Sequence, residues 1–250
     1  MLSSIELSNP WLIGIALNTI LVAIAFILPK KLLTPAGYIH AWILGVLIWG
    51  TLQWRGYLIV LFYFFVGSAV TRIGMEQKEK EGIAEKRSGQ RGPENVWGSA
   101  LIAAICAILT LWVDPFWQKL LILGYVANFS TKLADTTASE VGKAYGKRTF
   151  LITTLQPVAR GTEGAVSLEG TLAGVAASVV IAALAWAMGL IDEIGIVWCV
   201  IAAFIATNLE SLIGATLQSK WDWLTNELVN VINTLIGAVV AILLAYLISF

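Results

Sequence analysis

Long apolar stretches follow one another along this chain, at approximately residues 11–28, 38–53, 57–73, 97–113, 117–134, 171–191, 194–217 and 228–249. A helix crosses the roughly 30 Å hydrocarbon core of a bilayer in about 17 to 25 apolar residues, fewer where protein shelters one end. The second stretch is the shortest fit. A soluble domain could not hide so much: 58% of the 250 residues are hydrophobic and only 13% charged, where ordinary domains run nearer half and a quarter. The apolar positions come in blocks without two-residue alternation, which disfavours a β-barrel and leaves helices. The fold expected is all-α, a polytopic membrane protein of about eight transmembrane helices in one bundle. Residues 1–250 would form a single integral-membrane domain.

Basic residues mark the cytoplasmic side of a membrane protein. With the N-terminus outside, the inner loops collect Lys30 and Lys31, then Arg72, Lys78, Lys80, Lys86, Arg87 and Arg91, then Lys143, Lys147, Arg148 and Arg160, and finally Lys220, leaving only Arg55 and Lys119 outside. Both termini then lie on the non-cytoplasmic side, and the long loops 74–96 and 140–170 face the cytoplasm. The outer links are short, such as Trp54-Arg55-Gly56. Concentrating polar loops on one face puts the work of the protein there. The first stretch does not read as a signal peptide, because its basic pair follows the apolar run.

Sixteen basic and sixteen acidic residues leave no net charge, so no nucleic-acid partner is expected. Cys106 and Cys199 lie in apolar stretches without metal-ligand spacing, and His40 is the only histidine. Chemistry built on a cysteine framework or a histidine base is therefore unsupported.

A charged side chain at mid-bilayer costs about 2.5 to 3.5 kcal/mol on insertion scales, so ionisable groups in the apolar stretches need a reason. In the fifth stretch and its continuation, Asn128, Lys132, Asp135 and Ser139 stand four, three and four residues apart, on one helical face. In the seventh, Asn208, Glu210, Ser211 and Gln218 interrupt apolar sequence near the same face. The plain alternatives are that Lys132 and Asp135 pair and merely fix packing, and that Glu210 reaches lipid headgroups. The loops add glycines beside Arg, Lys, Ser and Thr, at 88–95 and 157–171, a composition suited to backbone cradles for phosphate. Neither P-loop nor Rossmann fingerprint is present: GKAYGKRT at 142–149 has three residues between its glycines where a Walker A has four.

Four segments together, RSGQRGPEN at 87–95, ADTTASEVG at 134–142, RGTEGAVS at 160–167 and ESLIGATLQ at 210–218, resemble the integral-membrane family that includes the phytyl-phosphate kinase of plastids and cyanobacteria. More distantly they resemble the CTP-dependent polyprenol kinases, phytol kinase and phosphatidate cytidylyltransferase. Where the family commonly has Asp-Ser, this chain has Glu210-Ser211. The resemblance implies phosphoryl transfer from a nucleoside triphosphate, CTP before others, to an isoprenoid monophosphate lipid, giving phytyl diphosphate for tocopherol-type synthesis in a cell inner or thylakoid membrane. It implies Mg²⁺ as cofactor, with Asp135, Glu140 and Glu210 as ligands. Lys132, Lys143 and Arg160 would neutralise phosphate charge. Arg91, Asn95, Asn128, Gly161, Thr162, Glu163, Ser167, Asn208 and Gln218 would bind nucleotide or phosphate. The rival readings are the same chemistry on an alcohol, and a small transporter with polar helix stripes, although no internal repeat of transporter type is evident.

Overall fold

A computed structural model describes residues 8–29, 31–218 and 220–248; Lys30 and Ser249, which entered the loop and stretch assignments above, lie outside them. The protein is all-α and polytopic. Its helices are α1 (Pro10–Ile27), α2 (Pro35–Thr71), the short α3 (Met75–Lys80), α4 (Pro93–Leu109), α5 (Pro115–Tyr145), α6 (Leu168–Ala187), α7 (Glu193–Ile213) and α8 (Asn226–Ile248). Among the described residues, α1, α2, α6, α8 and the segment Glu193–Gln218 are long and apolar enough to cross a membrane, and α4 is a shorter apolar helix.

Local chemistry sets the helix starts. Proline stands at the first turn of α1, α2 and α5, where its missing N–H costs nothing. The preceding Asn9, Thr34 and Asp114 each accept a first-turn N–H through their side chains. Ser167 and Asp192 do the same for α6 and α7, accepting from Gly170 N at 3.1 Å and Gly195 N at 2.8 Å.

The 37 residues of α2 are two rods, because Gln53 breaks the helix with φ 53° and ψ −151°. The rings of Trp49 and Tyr57 meet at 5.2 Å across the break, whereas a continuous helix would separate residues eight apart by about 12 Å. A Cβ on either Gly37 or Gly67 would run into Arg91, so both far ends of α2 come to one level and the chain has reversed. The reversal falls at the short link expected near residues 54–56. Tyr57 then donates to Asn18 Oδ1 of α1 at 2.7 Å, and Tyr125 of α5 donates to Gly56 O at 2.7 Å.

α5 is the axis of the molecule, touching α2, α4, α6, α7 and α8. It runs to Tyr145, eleven residues past the apolar boundary expected at 134. The extension is amphipathic instead of apolar, with Asp135 and Glu140 buried on one side, so a boundary drawn on hydropathy stops early. Two further pieces of order lie in segments expected to be loop. One is α3 with the 3₁₀ turn Lys86–Gly89. The other is a two-stranded antiparallel ribbon, β1 (Thr149–Leu151) with β2 (Ala165–Ser167), pairing Phe150 with Val166. Three-residue strands carry too little pattern to be read from sequence.

Candidate active site

Six helices, α2 and α4 to α8, and two glycine-bearing loops surround one cavity of about 430 Å³ at the face where the long polar segments gather. The Lys132 ammonium of α5 donates to Asp135 Oδ2 at 2.5 Å and to Asn230 Oδ1 of α8 at 2.6 Å. The Glu210 side chain of α7 lines the same cavity, within electrostatic reach of Asp135, Lys132 and Glu163. Acids from two helices thus meet over one lysine. Neighbouring carboxylates repel unless a cation offsets them, and here the Lys132 ammonium is bonded to one of them.

The Gly-Thr-Glu-Gly loop is pressed onto this pair by its own backbone. Gly164 has φ +75°, and a Cβ there would stand 2.4 Å from Ala215 Cβ and 2.7 Å from Ser211 O. Only glycine satisfies both the left-handed conformation and the approach to the end of α7. Glu163 is thereby delivered to the cavity, beside Gly161, Thr162 and Ser167.

A second wall comes from α2, α4 and the 86–91 segment. Arg91 lays its guanidinium over the Tyr63 ring, 5.2 Å from the centroid, and donates to Tyr63 Oη at 3.1 Å; Tyr63 in turn donates to Ser99 Oγ at 2.9 Å. Asn95 caps its own helix, accepting from Gly92 N at 2.9 Å, and accepts a further bond from Arg87. Arg87 also pairs with Glu94 in the first turn of α4. The Arg87 guanidinium holds the Glu94 carboxyl below its ordinary pKa.

Of the residues singled out from sequence, Asn95, Arg91, Lys132, Asp135, Glu140, Lys143, Gly161, Thr162, Glu163, Ser167, Asn208 and Glu210 line the cavity. Asn128, Arg160 and Gln218 do not, and each has a packing partner in place of a ligand. Asn128 accepts from Ala103 N and donates to Ser99 O, at 3.1 and 2.8 Å. Its carboxamide is spliced into one rung of α4 and has no exposed surface. Arg160 donates to Glu81 at 2.8 Å and to Ala144 O at 3.4 Å, tying the two loops together, and Gln218 donates to Asn226.

Glu140, expected as a metal ligand, lines the cavity and is held there by cations. Its carboxylate pairs with the fully buried Lys78 of α3, with Lys143 at 3.6 Å on its other side. Lys78 donates as well to Thr71 O at 2.8 Å. This triad fastens the 74–91 segment to α5. Among the described residues no three His, Cys, Asp or Glu side chains converge as a metal cluster. The Asp135 and Glu210 pair remains, and two carboxylates are what Mg²⁺ commonly takes from protein when phosphate oxygens and water fill its other positions.

Asn226, Glu227, Asn230, Tyr63 and Ser99 also line the cavity and were not among the residues selected from sequence. For α8 the signal was present. Asn226, Asn230 and Thr234 recur every four residues, a stripe of the kind that singled out α5.

A search of protein families matches residues 18–238 to the family described as integral membrane protein DUF92. The chain belongs to that family. It is 70% identical over 237 residues to the uncharacterized membrane protein sll0875 of Synechocystis sp., covering 95% of this chain and 92% of that one. It is 44% identical over 241 residues to protein VTE6, chloroplastic, of Arabidopsis thaliana, covering 95% of this chain and 72% of that one. The uncharacterized membrane protein MJ0933 of Methanocaldococcus jannaschii is 31% identical over 236 residues, covering 93% and 95%. No solved structure matches the chain. It is an integral membrane protein, as this DUF92 membership and its apolar helices require.

Proposed function

We propose that this protein is a prenyl-phosphate kinase, transferring the terminal phosphoryl group of a nucleoside triphosphate, CTP before others, to a membrane-held isoprenoid monophosphate such as phytyl phosphate. The observation that carries this reading is the meeting of Asp135 and Glu210, from different helices, beside a lysine held by Asn230, under a glycine-rich loop at the polar-loop face. Phosphoryl transfer asks the protein for cations around the non-bridging oxygens, acids for a divalent metal, and alignment, with little covalent work. The four motif segments that resemble phytyl-phosphate kinases contribute most of these groups.

An oxygen of the acceptor monophosphate attacks the γ-phosphorus, the bond from that phosphorus to the β,γ-bridging oxygen breaks, and the nucleoside diphosphate leaves with the electron pair. The acceptor oxygen is already anionic, so no general base is required. Lys132 and Arg91 offset charge on the phosphates, and the 161–164 backbone presents donors to them. Asp135 and Glu210 would hold Mg²⁺, which when bound neutralises and aligns the triphosphate oxygens.

The test is detergent-purified protein with Mg²⁺ and labelled CTP or ATP, offered phytyl phosphate and phytol. Label appearing in phytyl diphosphate is the expected outcome. Label in phytyl monophosphate made from phytol would assign the chemistry to an alcohol kinase, with the Asp135 and Glu210 pair as base. Asp135→Asn should lower turnover at least a thousandfold while the protein elutes and melts as wild type; full activity in that variant would remove Asp135 from the site.

A further inference from the structure

The cavity does not stop at the charged groups. It continues as an arm between α6 and α7, bounded by Val175 and Ser178 on one helix and by Ala203, Phe204 and Thr207 on the other. On α6 the lining runs from Gly170 to Ser178, and on α7 from Ser211 back to Ala203. Eight residues of helix are about 12 Å, so both walls run toward the middle of a roughly 30 Å hydrocarbon core from one side, with the buried Ser178 and Ala203 as the closed floor. One residue of its lining also faces outward. Phe204 lines it and is still 48% exposed on the outer surface of the helix pair.

Four polar side chains of these walls donate to their own helices. Ser178 donates to Val175 O at 2.8 Å, Thr207 to Ala203 O at 2.7 Å, Asn208 to Phe204 O at 2.7 Å and Ser211 to Thr207 O at 3.1 Å. With these donors satisfied, the deeper part of the walls, beyond Thr171 and Glu210, presents mainly methyl, methylene and ring surface. An arm with mainly apolar walls, bordered at one side by an outward-facing ring and joined at its inner end to a lysine and paired acids, fits a molecule with a hydrocarbon tail and an anionic head. A soluble nucleotide has no use for it.

We propose that the crevice between α6 and α7 seats the acceptor's hydrocarbon tail, which enters laterally from the bilayer past Phe204 and brings its phosphate up to Lys132 and Asp135 from the membrane side. The nucleotide then enters from the opposite direction, by the water-facing mouth between the 86–91 and 161–164 segments. The proposal rests on the kinase reading for the identity of the head group but not for the location of the tail. Filling the arm should therefore discriminate by chain length.

The experiment measures kcat/KM for a C20 and a C5 prenyl monophosphate in Ala203→Trp and Ser178→Phe. In parallel, a C20 monophosphate carrying a diazirine on its chain is photolysed with wild-type protein in lipid vesicles, and the labelled peptides are mapped. The ratio of C20 to C5 efficiency should fall at least tenfold in both variants, and label should fall on 175–178 and 203–207. An unchanged ratio in folded variants, or label confined to other helices, overturns the tail site. Labelling needs no turnover and no variant, so it decides the matter even if both substitutions misfold. Should wild-type protein phosphorylate neither acceptor and yet be labelled at 175–178 and 203–207, the kinase reading falls and the lipid site stands.

Discussion

Lys132 shows how much of a site can depend on a residue that does not itself react. Its ammonium is almost wholly buried and is divided between Asp135 and Asn230, so removing Asn230 leaves the lysine to close onto the acid alone. Hydrogen bonds to charged groups contribute about 1.5 to 3 kcal/mol. Asn230→Ala should lower kcat roughly 10- to 100-fold with the thermal midpoint little changed, and Asn230→Asp should not restore it, because a third acid would draw the lysine off the phosphate. A wild-type kcat in Asn230→Ala would show that Lys132 needs no such support. Glu140 makes the opposite case. Truncating it to alanine strands the buried Lys78 and should cost about 3 to 5 kcal/mol, read as a lowered melting point by tryptophan fluorescence. The double variant Lys78→Met with Glu140→Leu should recover most of that loss and keep activity. If it melts normally but is dead, Glu140 belongs to the catalytic group after all. The stripe of Asn128, Lys132, Asp135 and Ser139 was legible from spacing alone. Spacing could not tell that Asn128 faces the α4 backbone while Lys132 faces Asn230, since both lie on buried flanks of one helix.

Among the elements, the apolar rods were readable because insertion into lipid demands length and hydropathy, and both are written in composition. The starts of α1, α2 and α5 carry a mark of the same kind, Asn, Thr or Asp before proline. What escaped were the amphipathic last three turns of α5, the ribbon of β1 and β2, and α3, whose order comes from tertiary partners such as Lys78 with Glu140 and not from local pattern. The break in α2 carries its own prediction. Gln53 is exposed and holds φ 53° with ψ −151°, a region that glycine occupies freely and other residues only under strain. Strain of this kind is worth about 1 to 3 kcal/mol, and no buried contact is lost with the side chain. Gln53→Gly should raise the thermal midpoint, whereas Gln53→Val should lower it; the reverse order would mean that the two rods do not turn back at this residue. Gly237 in α8 is constrained from outside instead, since a Cβ there would stand 2.1 Å from Thr131 Oγ1 of α5.

For the whole molecule the charge distribution makes a definite claim about which way it faces. The ends of α2, α5 and α7 and the starts of α4, α6 and α8 share the face that carries the cavity, while the turns at 53–56, 110–114 and 188–192 share the other. Nearly all lysines and arginines outside the helices lie on the cavity face, and translocating them would oppose the positive-inside bias. The nucleotide donor of the proposed reaction would have to reach that face as well. Both native cysteines are buried, with Cys106 5% and Cys199 0% exposed, so a membrane-impermeant thiol reagent should leave wild-type protein unlabelled in sealed cells. A cysteine at the exposed Trp112 should then react from outside, and one at the exposed Glu85 should react only after the membrane is opened. Labelling of Glu85→Cys but not Trp112→Cys in intact cells would invert the protein. Inversion would place the cavity mouth away from the triphosphate pool, and the kinase reading could not survive it.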